Sequence, residues 1–67
     1  MLIKKSITIK KHRTSLSLEK EFWDALKIIA TEQKSSIENL VAKIDLNRKT
    51  SLASSIRVYL LKFYMKD

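Results

Sequence analysis

Glycine, proline and cysteine are all absent from this sequence of 67 residues. Without cysteine, a disulfide scaffold and a cysteine-ligated metal site are excluded. The single histidine leaves no room for a zinc cluster or for a Ser-His-Asp relay of the usual make-up. Because 45% of the residues are hydrophobic and neither glycine nor proline interrupts them, the chain is expected to fold. We expect at most one domain, with no metal and no cofactor.

Long hydrophobic runs are missing as well. The longest covers residues 58–61, whereas a membrane span needs about 20 residues. No apolar stretch follows the two lysines near the N-terminus, as it would in a signal peptide. We therefore expect a cytoplasmic protein without membrane contact. No nucleophile has an adjacent base and no glycine-rich loop could cradle a phosphate, so we also expect no enzymatic activity.

The small size of the chain limits the core that it can build alone. A chain of this length buries only about 60% of its extended surface and is marginally stable. Since disulfides are excluded, the sequence predicts that the chain borrows core from a partner. A homodimer is the commonest arrangement of this kind.

Positive charge is concentrated at the N-terminus. Residues 1–13 carry five basic side chains and no acidic one, whereas residues 14–67 carry nine basic and seven acidic ones. A short cationic segment of this kind commonly binds polyanions, although a solvated tail fits the count equally well. We divide the chain into a basic arm at 1–11, with an extra strand as the alternative, and a domain at 12–67.

Two short segments alternate polar and apolar residues, which is typical of half-buried strands. The apolar residues stand at odd positions in 6–9 and at even positions in 15–18. One continuous strand cannot bury both sets on one face, so we expect a turn, bulge or frayed end near residues 10–12.

Three helices are predicted after the strands. The first runs from about Glu19 to Gln33, and the second carries an apolar face between residues 37 and 44. Ser35 with Glu38 fits a capping box, and Ser36 is a second candidate N-cap. The third helix, at about 52–64, has an apolar surface wider than one stripe, which indicates a second buried face.

A single strand followed by helices leaves backbone groups unpaired on both strand edges. Pairing of residues 14–18 with the same segment of a second copy resolves this most economically. A hairpin between 6–9 and 14–18 is the alternative, and it satisfies one edge only.

The run from His12 to Glu19, with Phe22-Trp23 and Leu26 behind it, resembles a bacterial ribbon-helix-helix group with an HRTSLSLE…FW signature. The resemblance covers most of residues 6–64. It implies a mainly α fold: one strand paired across a dimer, two helices and a third C-terminal helix. It further implies a homodimer that lays its paired strands into the major groove of double-stranded DNA. One departure is the lack of glycine in the turn at residues 33–35.

From this resemblance we expect a nucleoid-associated, sequence-specific transcriptional repressor. Side chains that alternate with Leu16 and Leu18 point away from the core, so the base-contacting residues are predicted to be Arg13, Ser15 and Ser17. The N-terminal cations are predicted to contact phosphates: Lys4, Lys5, Lys10, Lys11 and His12. Amides at the start of the second helix are predicted to do the same: Ser35, Ser36 and Ile37. The predicted dimer core is Leu16, Leu18, Phe22, Leu26, Ile29, Leu40, Val41 and Ile44.

A protein-interaction module is the alternative function. In that case the apolar surface of residues 52–64 would hold a partner protein, as in antitoxins or adaptors. The two functions are compatible with each other, and the sequence leaves this choice open.

Overall fold

The computed structural model describes residues 1–66, so Asp67 at the end of the predicted domain lies outside the described residues. Two strands come first, β1 (Leu2–Ile9) and β2 (His12–Glu19). Three helices follow them: α1 (Lys20–Glu32), α2 (Ile37–Leu46) and α3 (Leu52–Met65). Among these elements, no helix is both long and apolar enough to span a membrane.

The two strands form an antiparallel hairpin joined by a two-residue turn at Lys10 and Lys11. Both turn residues have positive φ angles, 50° and 71°, as a type I′ turn requires. This turn explains why the alternation changes phase between the two segments. Facing residues of a hairpin share one side of the sheet, so Ile7 and Ile9 on β1 join Leu16 and Leu18 on β2 in the core.

The expectation of a lone strand in a mainly α fold is therefore corrected. The structure contains a hairpin and three helices, and β2 is paired with β1 of its own chain from Leu2↔Glu19 to Ile9↔His12. The pairing is longer than that of the hairpin alternative, and it takes in the residues that were assigned to a basic arm. The physical reason is local: a two-residue turn brings the strands together at low entropic cost, and their pairing occupies one edge of β2.

The turn between α1 and α2 keeps a left-handed residue although glycine is absent. Lys34 has a φ of 55°, and its amide donates to the Thr31 carbonyl at 3.0 Å. The Ser35 amide donates to the Ala30 carbonyl at 2.8 Å. These two bonds define a Schellman motif, here with lysine at the position that usually holds glycine.

Serine hydroxyls cap the two following helices. Ser36 Oγ accepts a hydrogen bond from the Asn39 amide at 3.0 Å, and Ser51 Oγ accepts one from the Ser54 amide at 3.2 Å. Of the two candidate caps for α2, the structure uses Ser36. The Ser35–Glu38 capping box is not formed, because the Glu38 carboxylate binds β1 instead.

One hydrophobic core is closed within a single chain. Seven of the eight predicted dimer-core residues are buried in it, while Phe22 is half-buried at its edge. Side chains that the prediction left out complete the core: Ile7, Ile9, Trp23, Ala30, Ile56 and Leu60. β1 and α3 supply side chains that were expected from a second chain, and the predicted dimer contact itself stays a prediction.

Candidate nucleic-acid interface

The hairpin has an outward face that is polar and free of buried residues. It consists of the side chains that alternate with the core residues, arranged in the cross-strand pairs Lys4↔Ser17, Ser6↔Ser15 and Thr8↔Arg13. All are exposed except Ser17, which is half-buried. We call these six residues the outward face. It is a two-stranded ribbon that presents small hydroxyls between two cations.

The three residues predicted to contact bases lie together on this face. Arg13, Ser15 and Ser17 occupy successive outward positions of β2, and Leu16 and Leu18 between and beyond them are buried. Arg13 makes no ion pair among residues 1–66, so its guanidinium is available to a ligand. Ser6 and Thr8 were missed, although the alternation of residues 6–9 already placed them opposite Ile7 and Ile9.

The N-terminal cations are divided among different parts of the hairpin. Lys4 is on the outward face, and Lys10 and Lys11 form the exposed turn. His12 is exposed next to the turn, on the side of the sheet that carries Leu16. Lys5 also belongs to that side, where its Nζ lies 5.0 Å from the centroid of the Trp23 ring. Lys5 is therefore separated from the outward face by the sheet itself.

Trp23 fixes β1 to the helices. Its indole Nε1 donates a 2.8 Å hydrogen bond to the Ile3 carbonyl, and its ring is buried. The cation above the ring adds an attraction to the ring quadrupole. Tryptophan at this position thus anchors the strand that carries half of the outward face.

The start of α2 lies beside β1. The Glu38 carboxylate oxygen Oε2 accepts a 2.9 Å hydrogen bond from the Thr8 amide. The amides of Ile37 and Glu38 have no hydrogen-bond partner among the described residues, as expected for a first helical turn. Of the predicted phosphate site, the Ser35 amide is occupied by the Schellman bond, whereas the Ser36 and Ile37 amides have no partner among the described residues.

The edge of β2 that faces away from β1 is open. In a hairpin closed by a two-residue turn, the Ile9–His12 pair exchanges hydrogen bonds, and alternate residues point their backbone groups outward. On β1 this geometry directs the Thr8 amide toward α2, as observed. On β2 it directs the backbone groups of Arg13, Ser15 and Ser17 to the opposite side, where none has a partner among residues 1–66.

An apolar groove lies between α1 and α3, and both helices contact β2. Its volume is about 420 Å³, and Phe22, Ala25, Leu61 and Tyr64 contribute apolar walls. Leu61 and Tyr64 are 59% and 58% exposed, so the groove is open to solvent in a single chain.

An ion pair joins the end of β2 to α3 beside this groove. The Arg57 guanidinium donates to Glu19 Oε1 from Nη2 at 2.9 Å and from Nε at 3.1 Å, and it lies 5.6 Å from the Phe22 ring centroid. The hydrogen bond from Arg57 holds the pKa of the Glu19 carboxyl below its usual value. Glu19 is the one acidic residue of the two strands, and this ion pair neutralises its carboxylate.

Residues 1–66 contain no group of three or more histidine, cysteine or carboxylate side chains that could hold a metal ion. The groups gathered at the hairpin are instead cations, hydroxyls and backbone amides, which are donors suited to phosphates and base edges.

Comparison with known proteins gives one match. No curated protein and no solved structure matches the chain significantly. A family model described as "Ribbon-helix-helix domain" matches residues 2–64, which includes both strands and nearly all of the three helices. Domains of this kind are typically non-enzymatic, and they generally belong to DNA-binding regulators that bind DNA as dimers, or to antitoxins. With the match extending over almost its whole length, the chain belongs to the ribbon-helix-helix family.

Proposed function

We propose that the chain is a sequence-specific DNA-binding homodimer, a transcriptional repressor that acts on the chromosome in the cytoplasm. The observation that carries this proposal is the outward face, on which Arg13, Ser15 and Ser17 stand in line on a ribbon with no free carboxylate. The major groove is wide enough to admit a two-stranded ribbon of this kind.

Arg13 is the residue proposed to read sequence most strongly. Its exposed guanidinium can donate two hydrogen bonds to the O6 and N7 atoms of guanine. Ser15 and Ser17 are small enough to let the backbone approach the bases, and their hydroxyls can donate to or accept from several base edges. Ser6 and Thr8 extend the same chemistry onto β1.

Phosphate contacts would come from the surroundings of this face. Lys4 lies at one end of the hairpin and Lys10 and Lys11 lie at the other, so cations flank the hydroxyls on both sides. The free Ile37 amide at the start of α2 is held near β1 by the Glu38 bond. Each phosphate that these groups neutralise should steepen the dependence of log K on log salt by about 0.9.

The open edge of β2 supports a homodimer. If β2 pairs with β2 of a second copy, the sheet has four strands, and the two-stranded ribbon that enters the groove is its central β2–β2 pair, with Arg13, Ser15 and Ser17 of both chains. This pairing satisfies the outward backbone groups that a single chain leaves without partners. It also places the second copy on the side of α3, where the α1–α3 groove exposes Leu61 and Tyr64.

Fluorescence anisotropy with a labelled promoter duplex from the source genome and with a scrambled duplex tests the proposal at two salt concentrations. Tighter binding to one sequence, weakened selectively in Arg13→Ala, is the expected result. Arg13→Lys keeps the charge but loses the paired hydrogen bonds, so it should retain nonspecific affinity while losing discrimination. Lys27→Ala, which removes a cation from α1, is the matched control and should leave discrimination unchanged. If Arg13→Ala lowers the affinity for both duplexes equally, Arg13 contacts phosphate and does not read bases.

A protein-interaction module is the second candidate. It is favoured by the exposure of Val58, Leu61, Tyr64 and Met65 along α3. These side chains would be covered by a partner protein in this case, and by the second copy in the case of the homodimer. A chain that stays monomeric at micromolar concentration would favour the second candidate.

A further inference from the structure

A second cleft lies between α2 and α3, and the outward face does not include it. Its volume is about 570 Å³, within the range of small-molecule sites. It is formed by the C-terminal end of α2, the connection to α3 and one side of α3. Lys43 is the first residue of α2 that lines the cleft, and it lies about 8 Å along the helix axis from Glu38, which bonds to β1.

The cleft combines a cationic rim with an apolar floor. Ile44, Val58 and Tyr59 form the floor, and Val58 is 48% exposed. No carboxylate lines the cleft. The cations around it come from three different segments of the chain: Lys43, Arg48, Lys49 and Lys62. Asn47, Thr50 and Ser55 add amide and hydroxyl groups at the end closed by the α2–α3 connection.

Internal bonds hold the closed end in shape. Arg48 donates from Nε to the Asp45 carboxylate at 2.5 Å and from Nη1 to the Thr50 carbonyl at 2.8 Å. The Thr50 and Ser55 hydroxyls lie 3.2 Å apart and share a hydrogen bond. The polar end of the cleft is therefore organised before any ligand arrives, whereas Lys43, Lys49 and Lys62 make no ion pair among the described residues.

We infer that this cleft binds a small amphipathic anion, a molecule with an aromatic or aliphatic body and a carboxylate or phosphate group. The anionic group would lie at the end formed by Arg48, Lys49 and Thr50, and the body would cover Val58 and Tyr59. A DNA backbone would use the lysines but would gain nothing from a half-exposed apolar floor. A long acidic peptide fits poorly, because the α2–α3 connection closes one end of the cleft. The inference does not depend on the proposed DNA-binding function.

Titration of the isotope-labelled full chain with 2-naphthoate, followed by amide chemical shifts, tests this inference. Saturable shifts should be confined to residues 43–50 and 55–62, and uncharged 2-naphthamide should bind about tenfold more weakly because the cations then contribute nothing. The triple variant Lys43→Gln, Lys49→Gln, Lys62→Gln should also lose about tenfold in affinity for the naphthoate. The control variant Lys27→Gln, Lys34→Gln, Lys66→Gln has the same net charge and should bind as the parent chain does.

Three results would overturn the inference. The first is equal loss of affinity in both triple variants, which would mean nonspecific attraction to net charge. The second is a set of shifts centred on Phe22, Ala25 and Tyr64, which would move the ligand to the α1–α3 groove. The third is tighter binding of an acidic amphipathic peptide than of naphthoate at the same residues, which would make the cleft a protein-docking site. Val58→Thr, nearly identical in shape, should weaken naphthoate binding without unfolding the chain.

Discussion

The Thr8 amide donates a 2.9 Å hydrogen bond to the Glu38 carboxylate across a separation of 30 residues. This bond joins the outer edge of β1 to the first turn of α2. It occupies a backbone donor that an edge strand would otherwise leave open, and it fixes where the α2 amides lie relative to the outward face. It also places a negative charge beside the amides proposed to receive a phosphate.

Substitutions at Glu38 should separate these two effects. Glu38→Gln retains an oxygen acceptor for the Thr8 amide and removes the charge, so we expect nearly unchanged stability and tighter DNA binding at low salt. Glu38→Ala removes the acceptor and should lower the free energy of unfolding by about 1 kcal/mol. Urea unfolding and fluorescence anisotropy measure the two quantities. If Glu38→Gln binds DNA no more tightly than the parent chain, the α2 amides are not near a phosphate.

The hairpin turn offers a second prediction, because two lysines occupy left-handed conformations there. Lys10→Asn with Lys11→Gly installs the residues that a type I′ turn prefers and should raise the free energy of unfolding by about 1–2 kcal/mol. The same change removes two cations per chain from the tip. DNA binding should weaken, and the slope of log K against log salt should fall by up to about 1.8 per chain.

A charge-matched control distinguishes local contacts at the tip from the general effect of net charge. Lys27→Gln with Lys66→Gln removes the same number of cations far from the hairpin turn. It should change the salt slope little. Equal slopes in the turn variant and this control would show that the tip does not touch phosphates.

The Glu19–Arg57 ion pair predicts a specific dependence of stability on pH. Because the hydrogen bond from Arg57 lowers the pKa of Glu19 below 4.5, the pair contributes stability above that value, and the contribution is lost as the pH falls through the lowered pKa. A double-mutant cycle with Glu19→Gln and Arg57→Gln, measured by urea unfolding at several pH values, isolates the pair. The coupling energy should be favourable at pH 7 and should vanish in strong acid. A coupling that persists there would show that the contact is not ionic.

The proposed dimer predicts different consequences for two exposed leucines. Leu61→Asp places a charge in the α1–α3 groove and should shift the sedimentation of the chain from dimer to monomer while its helical circular dichroism remains. Leu46→Asp, at the end of α2, is the matched control because Leu46 is 63% exposed and does not line that groove. Dissociation by both substitutions, or by neither, would assign the dimer contact to another surface.

Local sequence patterns were sufficient for most of the elements. The helical spacing of apolar residues indicated the three helices, and Ser36, one of the two candidate N-caps, precedes α2 in the structure. The change of phase between residues 6–9 and 15–18 required a break, and the break is the Lys10–Lys11 turn. These features depend on periodicity and capping, which act over a few residues, so they can be predicted without knowledge of tertiary contacts.

Which elements and side chains contact one another was decided only by the tertiary structure. The sequence determined that Leu16 and Leu18 point inward and that Arg13, Ser15 and Ser17 point outward, because side chains of a strand alternate. It could not determine that β1 lies beside β2, or that Lys5 lies over Trp23. Nor could it determine that the Glu38 carboxylate accepts a hydrogen bond from the Thr8 amide rather than from an amide at its own helix cap. Those choices depend on which of several competing contacts buries the most apolar surface and satisfies the most backbone groups. That competition is settled by the whole packed chain, since no single segment contains both partners.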